Sequence, residues 1–358
     1  MNMFTTEKPY IIAGPCSAES KEQLTATVDF LSKTDKVSLI RCGVWKPRTR
    51  PGGFEGMGIE ALQWIAELKQ RYPQVRFATE VAKPEHVEQC LEYGIDTVWI
   101  GARTTGNPFS MKELCECLKG TDMNVMVKNP LTPDAKLWIG AIERLMGVGI
   151  KGLAAIHRGF CTHNYYGYRN SPLWDIPMQI KQSMPDIVLL CDPSHIGGHC
   201  SLVKNISQIA LDLGFDGLMV EVHPSPQTAL TDSEQQLSFA DFATLLSDII
   251  PHSAGSASAV DGELKMLREK IDEMDNELIS IISQRLDIVQ QIGELKMKNN
   301  LPAYQPERWK EVLETRIANA KTRHNFSLLS PDFFKNILEL IHDESLRLQR
   351  EMMKKGDK

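Results

Sequence analysis

Four residues of this chain have the chemistry to hold a divalent transition metal: Cys16, His195, Glu221 and Asp232. A thiolate and an imidazole suit a borderline ion such as Mn2+, Fe2+, Co2+ or Zn2+, and two carboxylates add negative charge. They are far apart in sequence, so spacing alone supports little; what they share is a place at or beyond the end of an apolar run. A second set is cationic: Arg41, Lys46, Arg48, Arg103, Lys128 and Arg158. That is more positive charge than one carboxylate needs, and it suits a phosphorylated, multiply anionic ligand. The stretch RCGVWKPRTRPGG, 41–53, concentrates the pattern. Arg41 lies inside a strand-like run, and Lys46, Arg48 and Arg50 leave its end between Pro47 and Pro51, which stiffen the loop that aims them.

Strand-like runs must position these side chains. They fall at 10–17, 38–44, 76–81, 97–102, 124–129, 152–159, 187–194 and 217–224. Each is short and nearly continuously apolar, as parallel strands covered on both faces are. Helix-period segments lie between them, such as IEALQWIAELKQRY and LVKNISQIALDLG, and FADFATLLSDII follows the last run. Eight β/α units in about 250 residues predict a (β/α)8 TIM barrel over residues 1–250. An open doubly wound sheet is the rival, but no GxGxxG follows the first run. In a parallel barrel, chemistry sits where strands end. Those ends return Cys16, Lys46 with Arg48, Glu80, Arg103, Lys128, Arg158, His195 and Glu221, one polar or metal-capable group from every strand. Any one of them alone reads as a solvated loop charge or a structural side chain; all of them on one rim predict a site.

Residues 251–262, PHSAGSASAVDG, are small and polar and read as a flexible linker. Beyond it, Leu264, Leu267, Ile271, Met274, Leu278, Ile281, Ile288, Ile292 and Leu295 recur in steps of three and four. They predict one helix of about 35 residues, about 50 Å long at 1.5 Å per residue. Shorter helices are expected over 306–323 and 331–353, the second begun by Ser330-Pro331, giving an all-α three-helix domain over 263–358. So long a stripe cannot be buried inside about 95 residues, which predicts a homodimer. The stripe skips one place, position 285, where Arg stands. An arginine on a buried seam is costly unless an anion meets it. Lys296 lies at the far end of the same side, and in the last helix the seam Phe334, Leu338, Ile341 runs into Ser345, with Gln349 one turn on. On pattern alone this is either a dimerisation bundle with polar register residues or an anion site.

The formal charge of −6 and a pI near 5.9 give no support to a nucleic-acid partner. No stretch reads as a signal peptide or a membrane span, so a cytoplasmic location is expected. The eight cysteines contain no CxxC pair and suit reduced thiols, with Cys115 and Cys117 as packing residues. The first strand is expected to begin by about residue 10, so no N-terminal regulatory domain is expected.

Six motifs occur in order: GPCSAES (14–20), KPRTRPGGFEGMG (46–58), IGAR (100–103), DPSHIGG (192–198), VEVHP (220–224) and ALTDSEQQL (229–237). Over about residues 8–250 the chain closely resembles the short-barrel branch of 3-deoxy-D-arabino-heptulosonate 7-phosphate (DAHP) synthase. The resemblance implies that Cys16, His195, Glu221 and Asp232 bind the metal. It implies that Arg41, Lys46, Arg103, Lys128 and Arg158, with Glu80 nearby, meet phosphoenolpyruvate, and that Arg48 and Thr49 contact erythrose 4-phosphate. The implied reaction is an aldol-like condensation. Carbon 3 of phosphoenolpyruvate attacks the aldehyde, whose carbonyl the metal polarises as a Lewis acid; water adds at carbon 2 and phosphate leaves. The chain departs from many relatives in having Asn129-Pro130 after Lys128 in place of Arg-Gly, and His157 before Arg158 in place of Glu. The related octulosonate 8-phosphate synthase is a rival, but its matching motif begins Lys-Ala-Asn, against Pro47-Arg48-Thr49 here. A Schiff-base aldolase using Lys128 is a more distant one, which borohydride trapping would reveal.

LREKIDEMDNELISIISQRLDIVQQIGELK resembles the first helix of the all-helical chorismate mutases, and the likeness extends to about residue 352. It implies that Arg285, with Arg268 reaching into the other subunit's site, binds the two carboxylates of chorismate. Lys296 and Gln349 would stabilise charge on the breaking ether oxygen, and Arg308 and Ser345 also fall on active-site positions. The rearrangement is unimolecular and needs no nucleophile, base or cofactor. Trp309 stands where familiar members have an acidic residue, and Gln305 where one branch has Asp. A pathway-entry enzyme joined to a domain that binds a later metabolite suggests feedback inhibition through that domain, by prephenate or chorismate.

Overall fold

A computed structural model describes residues 4, 9–46, 52–162, 167–251, 261–321 and 330–356. Most of the expected linker, 252–260, and the loop 47–51 with Arg48 and Thr49 lie outside the described residues. The chain divides into two compact units, Met1–Gly255 and Ser256–Lys358.

The first unit runs β1 (Tyr10–Gly14), α1 (Lys21–Leu31), β2 (Val37–Arg41), α2 (Ile59–Arg71), β3 (Phe77–Val81), α3 (Pro84–Glu92), β4 (Thr97–Ile100), α4 (Ala102–Thr105) and α5 (Pro108–Leu118). It continues through β5 (Asn124–Lys128), α6 (Ala135–Gly147), β6 (Leu153–His157), α7 (Asp175–Ser183), β7 (Val188–Cys191), α8 (Pro193–Gly197), α9 (Cys200–Asp212), β8 (Gly217–Glu221) and α10 (Phe239–Asp248). The eight strands pair in sequence order and close into a barrel, β8 lying parallel to β1. Several strands stop short of their apolar runs. β1 ends at Gly14 because Pro15 has no amide for the ladder. Gly14 is held at φ +147°, where a Cβ would collide with the Arg41 carbonyl. β7 ends at Cys191; the Asp192 amide still donates to His157 O at 2.7 Å, but its side chain caps α8, accepting from His195 N at 3.1 Å.

Strand alternation then decides which residues reach the rim. Leu39, Ala78, Met126, Ile156, Leu190 and Met219 fill the barrel interior. Ile40, Val127, Ala155, Leu189 and Val220 pack in the layer beneath the helices. Two residues beyond each interior apolar side chain, the same parity delivers Arg41, Glu80, Lys128, Arg158, Asp192 and Glu221. His157 has the opposite parity. Its ring points away from the rim, among Trp138, Phe160, Trp174 and Phe215, with ring centroids 5.3 to 6.4 Å away.

The second unit has α11 (Asp261–Lys298), α12 (Pro306–Lys321) and α13 (Pro331–Gly356), and α11 packs on α13. α11 is 38 residues long, close to the expected length. Its apolar stripe from Leu267 to Leu295 does not face α13; those side chains remain 42% to 68% exposed. The face turned to α13 is the neighbouring one. There Val289 is buried, and a side chain at Gly293 would press on Gln349 and Met352. Arg285 keeps the step of four from Ile281 and three to Ile288, yet it is half-buried because its guanidinium reaches Ser345 on α13. All eight cysteines are free thiols. No helix among the described residues is long and apolar enough to cross a membrane.

Candidate active site

Cys16 lies just past β1, Glu221 ends β8, and Asp232 comes from the loop that follows. Their ligand atoms all fall within 4.8 Å of one another. Cys16 Sγ is 3.3 Å from Asp232 Oδ2. His195, on α8, stands at the edge of this group, with Nε2 3.8 Å from Glu221 Oε1. Asp192 holds its Nδ1 at 2.8 Å, which orients the ring and leaves Nε2 to face the centre. Asp232 sits at φ +45°, a left-handed conformation that a non-glycine residue adopts only under restraint.

Burial, reinforced by Glu221, pushes the Cys16 thiol up to about 12, against the opposing Lys46 ammonium 3.0 Å away. One ammonium is too little charge to make a thiolate there; a divalent cation reverses that balance. Burial also opposes ionisation of Glu221 and Asp232. Even so, His195 and Arg41 hold Glu221 below the usual carboxylate range, and His195 and Arg169 do the same for Asp232. Glu221 Oε1 makes no well-formed hydrogen bond. A soft thiol, two ionised carboxylates and an oriented imidazole fit a divalent transition ion.

The cations surround this centre. Arg41 is only 1% exposed and lies under the mouth, its Nη2 3.0 Å from Glu221 Oε1 and its guanidinium 5.0 Å from the Trp99 ring. Burial disfavours its charge, but Glu221 and Asp192 outweigh that and raise its pKa. Among the described residues its Nε and Nη1 donate to nothing, which leaves two buried donors in want of an acceptor. Lys128 Nζ donates to Asp192 Oδ2 at 2.8 Å, and burial still lowers its pKa. Lys46 Nζ donates to Cys16 O at 3.2 Å; burial disfavours its charge, but Cys16 and Glu221 prevail and raise its pKa. Glu80 accepts from Trp99 Nε1 at 3.0 Å and fits because Gly101 has no Cβ to collide with it. Arg158 donates from Nη1 to Asn170 Oδ1 and from its amide to Asn129 Oδ1, both at 2.7 Å. Asn129 in the unusual Asn-Pro pair is thus a buried clamp on Arg158. Arg103, exposed on α4, is near enough to add to the lowering of the Arg158 pKa, after burial.

Sequence reasoning overlooked Asp192, Trp99, Arg169 and Gln235. Asp192 is fully buried and shared by Arg41, Lys128 and His195. Strand parity would have found it, because it follows the interior Leu190 by two. Arg169 and Gln235 sit in loops and carry no periodic signal.

In the second unit Arg285 Nη1 donates to Ser345 Oγ at 2.7 Å, and Ser345 Oγ donates to Ile341 O at 2.6 Å. Gln349, one turn on, is buried, and its Oε1 accepts from nothing among the described residues. Lys296 Nζ donates to Ala303 O at 2.7 Å. Burial lowers the pKa of both Arg285 and Lys296. Arg268 is exposed on α11, and Arg308 is exposed on α12 and paired with Glu311 at 2.7 Å. No hydrogen bond or ion pair among the described residues links Arg268 or Arg308 to Arg285. Trp309 stacks on His342, with ring centroids 3.8 Å apart. Gln305 immediately precedes α12, its carbonyl accepting from Trp309 N at 3.1 Å.

A model of the DAHP synthetase I family matches residues 5–251. The chain belongs to that family. A model of chorismate mutase type II matches residues 267–350, so this DAHP synthetase I member joins a transferase barrel to an all-helical isomerase domain in one chain. The phospho-2-dehydro-3-deoxyheptonate aldolase of Thermotoga maritima is 32% identical over 239 residues, covering 67% of this chain and 68% of that protein. A crystal structure of the DAHP synthase from Thermotoga maritima superposes with a TM-score of 0.61 at 32% identity, covering 67% of each chain. The T-protein of Enterobacter agglomerans is 34% identical over 83 residues, 23% of this chain and 21% of that protein. The helical part therefore matches about a fifth of that relative's length.

Proposed function

We propose that the first unit condenses phosphoenolpyruvate with erythrose 4-phosphate to DAHP and phosphate in a metal-dependent reaction, and that the second rearranges chorismate to prephenate. The observation that carries the first reading is the convergence of the Cys16, Glu221 and Asp232 ligand atoms within 4.8 Å, with the buried cations beside them. Together with His195 these residues would hold a divalent ion, which polarises the aldehyde carbonyl when bound. The unpartnered Nε and Nη1 of Arg41, with Lys128, Arg158 and Arg103, bind the carboxylate and phosphate of phosphoenolpyruvate. They hold carbon 3 against the aldehyde and overcome the repulsion between two anionic substrates. Carbon 3 bonds to the aldehyde carbon, water adds at carbon 2, and phosphate leaves. Lys46, within 3.0 Å of Cys16 Sγ, is placed to protonate the aldehyde oxygen as it gains charge. Arg48 and Thr49 contact erythrose 4-phosphate.

In the second unit, Arg285 meets one carboxylate of chorismate and Arg268 of a second copy meets the other. Lys296 and Gln349 stabilise the ether oxygen, with Ser345 and Arg308 completing the site. The apolar stripe on α11, largely exposed in one chain, supports a homodimer formed through the helices. Prephenate or chorismate bound there would lower synthase activity, for which a coupling of about 1–3 kcal/mol suffices. A catalytically silent dimerisation module is the second reading; it is favoured by Arg308 being paired to Glu311 and Lys296 to a backbone carbonyl.

Full-length protein assayed with each substrate set tests both readings. A strong chelator should abolish DAHP formation and leave prephenate formation intact, while Arg285→Ala should do the reverse. Full DAHP turnover in chelated protein defeats the metal reading, and unchanged mutase turnover in Arg285→Ala leaves only the silent module.

A further inference from the structure

Arg169 and Asn170 lie in the loop between β6 and α7, away from any strand end. Arg169 Nη1 donates to Asp232 Oδ1 at 3.1 Å and to Gln235 Oε1 at 2.6 Å. Gln235 donates in turn from Nε2 to Glu221 Oε2 at 2.7 Å. One guanidinium therefore ties down one oxygen of each of two carboxylates, the first directly and the second through an amide. The opposite oxygens turn inward. Asp232 Oδ2 is 3.3 Å from Cys16 Sγ, and Glu221 Oε1 is 3.8 Å from His195 Nε2. Asp232 is also in the left-handed conformation, which few non-glycine residues adopt, and these contacts fix its carboxylate there.

The loop is itself pinned. The amides of Arg169 and Asn170 donate to Gly197 O at 3.2 Å and Ile196 O at 3.1 Å. Gly198, at φ +70°, leaves room for the Arg169 side chain where a Cβ would collide. Asn170 donates from Nδ2 to His195 O at 2.7 Å and accepts from Arg158 Nη1 at 2.7 Å.

We propose that Arg169 is a positioning residue for the ion site, setting Asp232 directly and Glu221 through Gln235, while Asn170 ties the same loop to His195 and Arg158. The proposal rests on the reading of Cys16, His195, Glu221 and Asp232 as ligands of a divalent ion. An outer group that orients ligating carboxylates typically changes ion affinity by about 10- to 100-fold when removed.

The test is a Co2+ titration of chelator-stripped full-length protein, followed by the thiolate-to-cobalt absorption band, with circular dichroism of the ion-free protein as a check on folding. Arg169→Met should weaken Co2+ binding at least tenfold while the ion-free fold is kept. Arg169→Lys, which can reach Asp232 but not both partners, should recover part of the loss. Arg169→Met and Gln235→Leu should combine to less than the product of their separate effects, because they break one chain of contacts. Wild-type affinity in Arg169→Met, or fully multiplicative effects in the double variant, would overturn the proposal. A band that is absent from wild type, or that survives Cys16→Ala, would instead overturn the metal reading beneath it.

Discussion

Replacing His157 by phenylalanine should make the barrel less sensitive to acid. The His157 ring is fully buried among aromatic side chains, and neither nitrogen makes a well-formed hydrogen bond. Burial pushes its pKa down to about 3; the Pro172 carbonyl favours the protonated ring but is outweighed. In the unfolded chain the same ring protonates near pH 6.5. Below that pH the unfolded state takes up a proton that the native state refuses. The sign follows: native stability falls as pH drops from about 6.5 to about 3, then levels off. At about 1.4 kcal/mol per pH unit, the loss is about 2 kcal/mol at pH 5 and about 5 kcal/mol at pH 3. Against a typical total of about 5–15 kcal/mol, that is a large fraction. The assay is urea unfolding of wild type and His157→Phe at pH 7.5 and 5.0, followed by tryptophan fluorescence. Five of the six tryptophans lie in the first unit, so the signal reports on the barrel. Any change in packing affects both pH values alike and drops out of the comparison. The stability lost between the two pH values should be about 2 kcal/mol smaller in the variant. Equal losses in both proteins would show that the ring is protonated or solvated in the native state, and the burial argument would fail.

Gly101→Ala should displace Glu80, whose Oε1 occupies the place of the new methyl group, and lower synthase kcat/KM at least tenfold with mutase kinetics unchanged; full synthase activity would show that Glu80 need not stay where Trp99 holds it. Asp192→Asn leaves Arg41 and Lys128 buried with less opposing charge and should destabilise the barrel by about 3–5 kcal/mol in urea unfolding, whereas a loss under about 1 kcal/mol would contradict that. If the chain dimerises through α11 as proposed, Leu278→Glu, which places a charge in the exposed stripe, should sediment as a monomer and lose mutase activity; a monomer that keeps full turnover would exclude a contribution from the second copy's Arg268.

The barrel was legible because each strand is a short apolar run, and parallel strands covered on both faces leave that mark. The rim was legible because the ends of all eight runs carry a polar or metal-capable residue, a coincidence that solvated loop charges taken singly do not explain. Reading the runs as strands to their last residue hid Asp192, which is a helix cap in the structure and the shared partner of Arg41, Lys128 and His195. Arg169 and Gln235 left no mark because loops obey no period; their positions are set by contacts with Gly197, Asp232 and Glu221, far away in sequence. In the helical unit, a stripe at steps of three and four found the helix but not its partner. Two adjacent faces of α11 are apolar enough to pack. The shorter one, with Val289 and Gly293, turned to α13, while the longer one remained open.

Asp192 also explains why the barrel can bury so many cations and still attract an anion. Lys128 Nζ and His195 Nδ1 each lie 2.8 Å from its Oδ2, and Arg41 Nη1 lies 4.0 Å away. Arg41 has a nearer partner in Glu221, whose Oε1 is 3.0 Å from its Nη2, so Asp192 serves chiefly Lys128 and His195. Its own pKa is held well below the usual range, because His195 and Lys128 outweigh the burial that opposes its charge. If every cation had a private carboxylate, the mouth would be close to neutral and would have little hold on a phosphorylated substrate. If there were no carboxylate, the cations would be too costly to bury, or Lys128 would give up its proton. Sharing Asp192 and Glu221 keeps these cations stable enough to persist, while the Nε and Nη1 of Arg41 stay without an acceptor among the described residues, and donors left over in this way can hold an anionic substrate.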